Sequence, residues 1–396
     1  MISTEAWVLY EKRNGSDGNG ASSHNNDISN IGVDLRLEEF SFPDLLDKEV
    51  LVEPIVGCWE GNMSHAVCHS PVDICKLRKE ERVVIGNAGV VRVLRPGAEV
   101  DSLNEGDLCL VFCNGTWDQM GYPQRIYGYD AARTVGILAK RTKLHAQQLI
   151  KIPQPTKHSL EQWAAFSLRY ITAWANWKVA YGVWKLQAGD ASYTPSIWGW
   201  GGGVTLAELA LARISGCSTV MMASTRDRLS LIQQCGIEAV DRTVFRELNF
   251  CPEKYQSDAE YKRRYQDSEN AFLEFVAQKT DRHGVSIFID FIGQPVFRVS
   301  LKSLSRPGVI TTAGWKRGMD LAVIRALECM NWHTHVHTHY ARYSEGIEAV
   351  EFAERVGWAP PVEDRLWPWE DIPALACEHS LNSLTSFFPL YRVNSL

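Results

Sequence analysis

The chain has 396 residues, 22% of them charged and 45% hydrophobic, with a formal net charge of −6 from 41 Lys and Arg against 47 Asp and Glu. That length asks for two domains rather than one core, and an acidic balance without a basic block argues against nucleic acid or an anionic membrane as partner. No apolar run approaches the roughly 18 residues of a membrane span. The N-terminus lacks the apolar core of a signal peptide, so the sequons at Asn62 and Asn114 are expected to be accidental. Ten cysteines without a CxxC pair read as reduced thiols, and the expected compartment is the cytoplasm.

Residues 6–12 form a first predicted strand, and residues 13–30, rich in Gly, Ser and Asn, a loop. Residues 34–42 alternate as a strand does. Residues 48–57 give a further strand, leading into Cys58-Trp59-Glu60-Gly61-Asn62. Short strands separated by glycine turns follow over 82–100 and 108–112, so this part is a small β-rich domain. Pro153 opens the crossing. Ser159 supplies an N-cap with Glu161 and Gln162 behind it, and residues 164–178 continue as a long amphipathic helix.

Residues 193–212, YTPSIWGWGGGVTLAELALA, combine an apolar strand, a glycine cluster and an apolar helix. Gly199, Gly201, Gly202 and Gly203 are expected to make the turn, with the helix from Val204. Such a turn aims bare backbone N–H groups at an anion, which suits a pyrophosphate. A second apolar strand, 219–223, arrives one helix later, as a βαβ unit requires. It ends in Ser224-Thr225-Arg226-Asp227-Arg228. Small hydroxylated residues followed by basic ones favour a ribose 2′-phosphate, hence NADPH, with Asp227 keeping NAD open. A charged insertion over 253–279 holds a helix. Strands are expected at 285–292, 308–312 and 334–340, and a helix at 343–357. The proline-rich tail then packs back on the first domain. The expected fold class is α/β: a Rossmann doubly wound parallel sheet over 166–344, and a β-rich domain over 1–165 and 345–396.

Four stretches carry a family resemblance: Pro123 to Asp130 (PQRIYGYD), Thr172-Ala173-Trp174, the IWGWGGG turn, and His337 to Tyr343 (HTHYARY). In this order, from about Lys48 onward, the chain resembles the medium-chain dehydrogenase/reductase superfamily, and within it the crotonyl-CoA carboxylase/reductases. The resemblance implies a GroES-like catalytic domain and zinc-free transfer of hydride from NADPH to the β-carbon of an enoyl thioester on coenzyme A or a carrier protein. A proton or carbon dioxide then takes the α-carbon. The family's carboxylating branch holds carbon dioxide with a His, a Phe-Glu pair and an Asn; carried across as the implied catalytic residues, the His falls on His339, the Phe-Glu pair on Tyr129 and Asp130, and the Asn on Glu60 or Asn62. Thr172 and Val204 join the four glycines, Ser224 and Arg226 as cofactor contacts. A small-molecule substrate and a homodimer or homotetramer, paired antiparallel at the late strand near Thr334, are also implied.

Several positions depart from that pattern. Asp130 is one methylene shorter than Glu and Tyr129 adds a hydroxyl, so simple reduction is favoured over carboxylation. Thr205 replaces the turn's last glycine, and either displaces the helix outward or offers its hydroxyl to a phosphate. The family's basic pair falls on His333 and Thr334, and Trp200 inside the turn has no evident purpose. Where zinc alcohol dehydrogenases place a Cys and a His-Glu pair, this chain has Glu60 and Asn87. Cys109 and Cys113 stand without a quartet, so no metal is expected there. The alternating His333, His335, His337 and His339, all on one face if the strand spans them, keep a metal-dependent enzyme as an alternative. A carbonyl or quinone reductase of the same superfamily and a nucleotide-binding non-enzyme also stay open.

Overall fold

A computed structural model of the chain describes residues 1–12, 33–189, 193–313, 329–330 and 332–396. The predicted 13–30 loop therefore lies outside the described residues. Two compact units are present, Met1–Leu168 with Arg342–Leu396, and Arg169–Ala341.

In the first unit the strands are short and cross-paired. β1 (Ile2–Tyr10) lies between β2 (Leu35–Phe42) and β4 (Arg82–Val84). β3 (Glu49–Cys58) is the spine of the larger sheet. It pairs antiparallel with β5 (Gly89–Pro96), which pairs with β6 (Leu108–Val111). β7 (Asn114–Trp117) and β8 (Pro123–Ile126) form a separate hairpin. β9 (Thr142–His145) adds to β3, and β10 (Leu149–Lys151) to β6. Two short helices, α1 (Gly61–Val67) and α2 (Ile74–Arg78), fill the connection after β3.

The division between units falls within α3 (Leu160–Ala188), longer than predicted at both ends. Trp177, Tyr181 and Trp184, spaced at helical intervals with stacked rings, carry the apolar stripe past residue 178. The second unit is a βαβ series. β11 (Ser196–Trp200), α4 (Gly203–Ile214), β12 (Ser218–Ala223), α5 (Arg226–Gln234) and β13 (Glu238–Asp241) form its first half. α6 (Pro252–Ser257) and α7 (Ala259–Lys279) then lead to β14 (Val285–Asp290), α8 (Gln294–Lys302), β15 (Leu304–Thr311) and β16 (His335–His337). The six strands are all parallel, in the order β13-β12-β11-β14-β15-β16. Strand order reverses between β11 and β14, the place where ligands bind in sheets of this kind.

α9 (Tyr343–Val356), β17 (Leu366–Trp367), α10 (Ile372–Ser380) and β18 (Leu390–Arg392) return to the first unit. β18 pairs with β3, and Tyr391 lies opposite Gly57, where an added Cβ would meet the tyrosine ring at 2.1 Å. A glycine in β3 thus makes the seat for the C-terminal strand.

Candidate functional site

β11 and β12 run parallel with Trp200 beside Met222, so their carboxyl ends bring the glycine turn and Ser224 to one end of the sheet. Gly199 lies inside β11 rather than in the turn; the turn itself is Gly201 and Gly202, and α4 begins at Gly203. The first residues of α4, Gly203 and Val204, carry backbone N–H groups with no partner inside the helix, as at any helix start. A Cβ on Gly202 would meet nothing within 4 Å among the described residues. Open space above a helix start of twelve residues fits a pyrophosphate. Ser224 and Arg226 are exposed at the adjoining strand end, where a ribose 2′-phosphate would be met.

Thr205 and Trp200 both find a structural use. Thr205 is fully buried, and its hydroxyl points back at the Trp200 carbonyl at 3.5 Å. Added Cβ atoms would meet its methyl at 2.6 Å from Gly199 and its hydroxyl at 2.3 Å from Gly201. Its side chain therefore occupies slots that two glycines leave open, and does not face a phosphate. Trp200 is 2% exposed; its ring stacks on Phe272 at 5.4 Å and meets Phe288 at 5.0 Å. It fills the core against α7 and leaves the turn clear.

In the first unit, the β3–β5 ladder extends through the Cys58 N–H, which donates to the Ala88 carbonyl at 2.9 Å. Glu60 leaves one strand and Asn87 enters the other at this same end. Glu60 is 4% exposed and stands at the N-cap position of α1, its side chain making no capping hydrogen bond. Asn87 is fully buried, and among the described residues neither atom of its carboxamide has a hydrogen-bond partner. Asn62, half-buried one residue into α1, likewise has an Oδ1 with no partner among them. Burial pushes the Cys113 thiol up to about 12, with the Glu60 carboxylate adding to the effect. Burial, with help from Cys58 and Glu60, raises the Tyr391 hydroxyl well above the ordinary tyrosine range, and this hydroxyl too has no partner among the described residues. Unpaired buried polar groups are costly, about 1–3 kcal/mol each, so several at one end of a sheet mark that end as a candidate site.

Gly128 connects the PQRIYGYD turn to this cluster. It holds φ +59°, and a Cβ there would meet the Gly86 carbonyl oxygen at 2.2 Å, so only glycine brings the two segments together. Tyr129 follows, nearly buried in the cluster that holds Trp59 and Met63. Asp130 is committed locally: one oxygen accepts from the Ile126 N–H at 2.6 Å and the other from Arg125 at 3.2 Å.

The histidine row is shorter than its alternation suggested. β16 covers only His335–His337. His333 sits before it at φ +52°, 3.1 Å from an Arg306 nitrogen, so the four do not share one strand face. Burial, with His335 and His339 nearby, lowers His337 to about 4. His339 is half-buried past the strand end. Among the described residues, no group of three His, Cys, Asp or Glu side chains is placed to hold a metal ion. Asn87 as a polar site residue and Tyr391 were missed from sequence. Asn87 was visible only as a failed metal ligand, and nothing local marks Tyr391, which reaches the site through β18.

No family model matches the chain. Its fold is found in solved structures. Crotonyl-CoA carboxylase/reductase AntE, in complex with NADP, superposes with a TM-score of 0.78 at 20% identity, over 99% of this chain and 95% of that one. The 2-octenoyl-CoA carboxylase reductase CinF from Streptomyces sp., in complex with NADP and 2-octenoyl-CoA, gives 0.77 at 19% identity, over 98% and 87%. Alcohol dehydrogenase TADH from Thermus sp. ATN1 gives 0.70 at 16%, over 98% and 99%. The chain thus has the two-domain fold of the medium-chain dehydrogenase/reductases. Among the described residues no helix is long and apolar enough to cross a membrane.

Proposed function

We propose that this protein is an NADPH-dependent reductase of an activated carbon–carbon double bond carried on a thioester. The observation that carries the reading is the open space above Gly202 at the sheet's switch point, with Ser224 and Arg226 exposed at the neighbouring strand end. The NADP and acyl-CoA named for AntE and CinF support the same assignment. Bound at this turn, NADPH supplies the hydride that adds to the β-carbon. Gly202, Gly203 and Val204 hold the pyrophosphate, Thr172 of α3 contributes a further cofactor contact, and Ser224 with Arg226 selects the 2′-phosphate. His339 holds the proton that reaches the α-carbon. Glu60, Asn62, Asn87 and Tyr129 supply the polar lining for the thioester.

Protonation is preferred to carbon dioxide capture on a physical ground. A carboxylate that already accepts from Ile126 and Arg125 is spent on its own turn, so Asp130 holds Tyr129 in place rather than orienting carbon dioxide. A cavity of about 470 Å³ in the first unit, lined by Phe112, Trp117, Met120, Arg342 and Tyr343 among others, has the size of a ligand site and suits an acyl arm. β16 is an edge strand bearing exposed Val336, with exposed Met330 and Trp332 before it. Pairing with a second copy would cover this edge. Among the described residues none of the ten cysteines forms a disulfide, which suits a cytoplasmic enzyme.

The test is NADPH consumption with crotonyl-CoA, with and without bicarbonate, followed by mass analysis of the product. A saturated, uncarboxylated thioester is expected in both. A carboxylated product would reverse the view of Asp130. Failure to oxidise NADPH with any enoyl, carbonyl or quinone substrate would end the redox assignment.

A further inference from the structure

Asn176 sits in the interior of α3, fully buried. Asparagine is a weak helix former, and a buried carboxamide needs partners. It has three. Nδ2 donates to the Thr172 carbonyl one turn back at 2.9 Å and to the His339 carbonyl at 2.8 Å. Oδ1 accepts from the Thr311 hydroxyl at 3.3 Å. The two carbonyls fix which end of the amide is the donor, and the Thr311 hydroxyl fixes the other. A leucine would fill the same volume against the sheet, so packing alone does not call for an amide here.

The need for it lies where β16 stops. The Thr312 N–H donates to the His337 carbonyl at 3.1 Å, and the Thr338 hydroxyl donates to the Thr312 carbonyl. One residue on, the parallel ladder has ended, and the next carbonyl, that of His339, is taken by Asn176. We propose that Asn176 is a positioning residue for His339. Its carboxamide clamps the main chain of His339 to the helix carrying Thr172, with Thr311 steering the clamp. This rests on the reading of His339 as the proton-holding group. Bonds of this sort in a water-poor interior are directional, so losing one moves the main chain it held.

The experiment compares Asn176→Ala, Thr311→Val, His339→Ala and the Asn176→Ala/His339→Ala double variant in crotonyl-CoA-dependent NADPH oxidation. Asn176→Ala is expected to lower kcat about 10- to 100-fold, as small misplacements do, with KM for NADPH unmoved; Thr311→Val should act in the same direction, less strongly. In the His339→Ala background, Asn176→Ala should cost nothing more, because residues acting through one another are not additive. A second readout needs no turnover. With histidines labelled at Cε1, the His339 NMR signal, identified by its loss in His339→Ala, should shift and broaden in Asn176→Ala while that of His145 in the other unit stays. If Asn176→Ala does not fold, Thr311→Val carries both measurements. Additive losses, or an unmoved His339 signal, would overturn the proposal. Full activity in His339→Ala would instead remove that residue from the chemistry, and the NMR comparison would still decide what Asn176 does.

Discussion

Two neighbouring glycines of the turn should respond to the same substitution in opposite ways. At Gly202 the backbone has φ −113°, and a methyl group would meet none of the described residues. Gly202→Ala should therefore leave the fold intact, or stabilise it by about 0.4–1 kcal/mol through a less flexible unfolded chain. The added methyl would stand in the space assigned to the pyrophosphate, and a loss of 10- to 100-fold in NADPH affinity, about 1.4–2.8 kcal/mol, is expected. At Gly201 the backbone has φ +155°, and a methyl would come within 2.3 Å of the Thr205 hydroxyl and 2.9 Å of Phe291. Overpacking there costs about 1–3 kcal/mol and the backbone strain a similar amount. Together these should lower Tm by at least about 4 °C. Thermal unfolding and NADPH titration by fluorescence quenching measure both quantities on both variants. If Gly202→Ala binds NADPH as tightly as the parent, the turn does not hold the pyrophosphate.

The other predictions concern selectivity, lining and pH. Arg226→Ala should weaken NADPH by about 10- to 100-fold, the worth of a charge-assisted hydrogen bond, while leaving NADH binding unchanged; equal losses for both cofactors would refute its role at the 2′-phosphate. Asn87→Leu removes a buried carboxamide whose atoms have no partners, so stability should hold or rise while turnover falls; the opposite pattern would make Asn87 structural. Glu208 is fully buried in α4 with neither carboxylate oxygen paired among the described residues, and burial raises its pKa well above the ordinary value. The folded state then keeps a proton that the unfolded state releases, so stability falls as pH rises above the unfolded pKa of about 4.3, by up to about 1.4 kcal/mol per pH unit until the folded pKa is reached. Unfolding followed from pH 5 to 8 should show this slope in the parent and lose it in Glu208→Gln; parallel slopes would refute it.

Local pattern carried the second unit far. An apolar strand, a glycine turn and an apolar helix are contiguous in sequence, and the structure puts β11 and α4 there. What escaped were features set by distant contacts. β13 (Glu238–Asp241) is short and has no fully buried residue, so it has no apolar run to announce it. The alternating histidines read as one long strand, yet a positive φ at His333 ends the regular face before it starts. Glu60 and Asn62 were legible as the exit of a strong strand. Tyr391 was not, because its place beside them depends on β18 pairing with β3 across more than three hundred residues. Asp130 is a case of the opposite kind. Its identity was legible from the PQRIYGYD stretch, but its use was not, since only coordinates reveal that the Ile126 N–H and Arg125 occupy both oxygens.

The glycine cluster, read as a unit in sequence, divides into two functions once Thr205 is placed. Gly199 and Gly201 are small because Thr205 is not; its methyl and hydroxyl fill the volume their side chains would need. The helix therefore keeps its seat on the strand despite a side chain where the fold's usual motif has none. That packing would be required of a protein that bound no nucleotide at all, so these two glycines say little about chemistry. Gly202 differs, since no described residue forbids a side chain there. As the N-cap of α4 it suits a helix start, and its smallness also leaves room for the proposed nucleotide to approach that start. The nucleotide assignment thus rests on one glycine and the exposed Ser224–Arg226 corner, and not on the length of the glycine run.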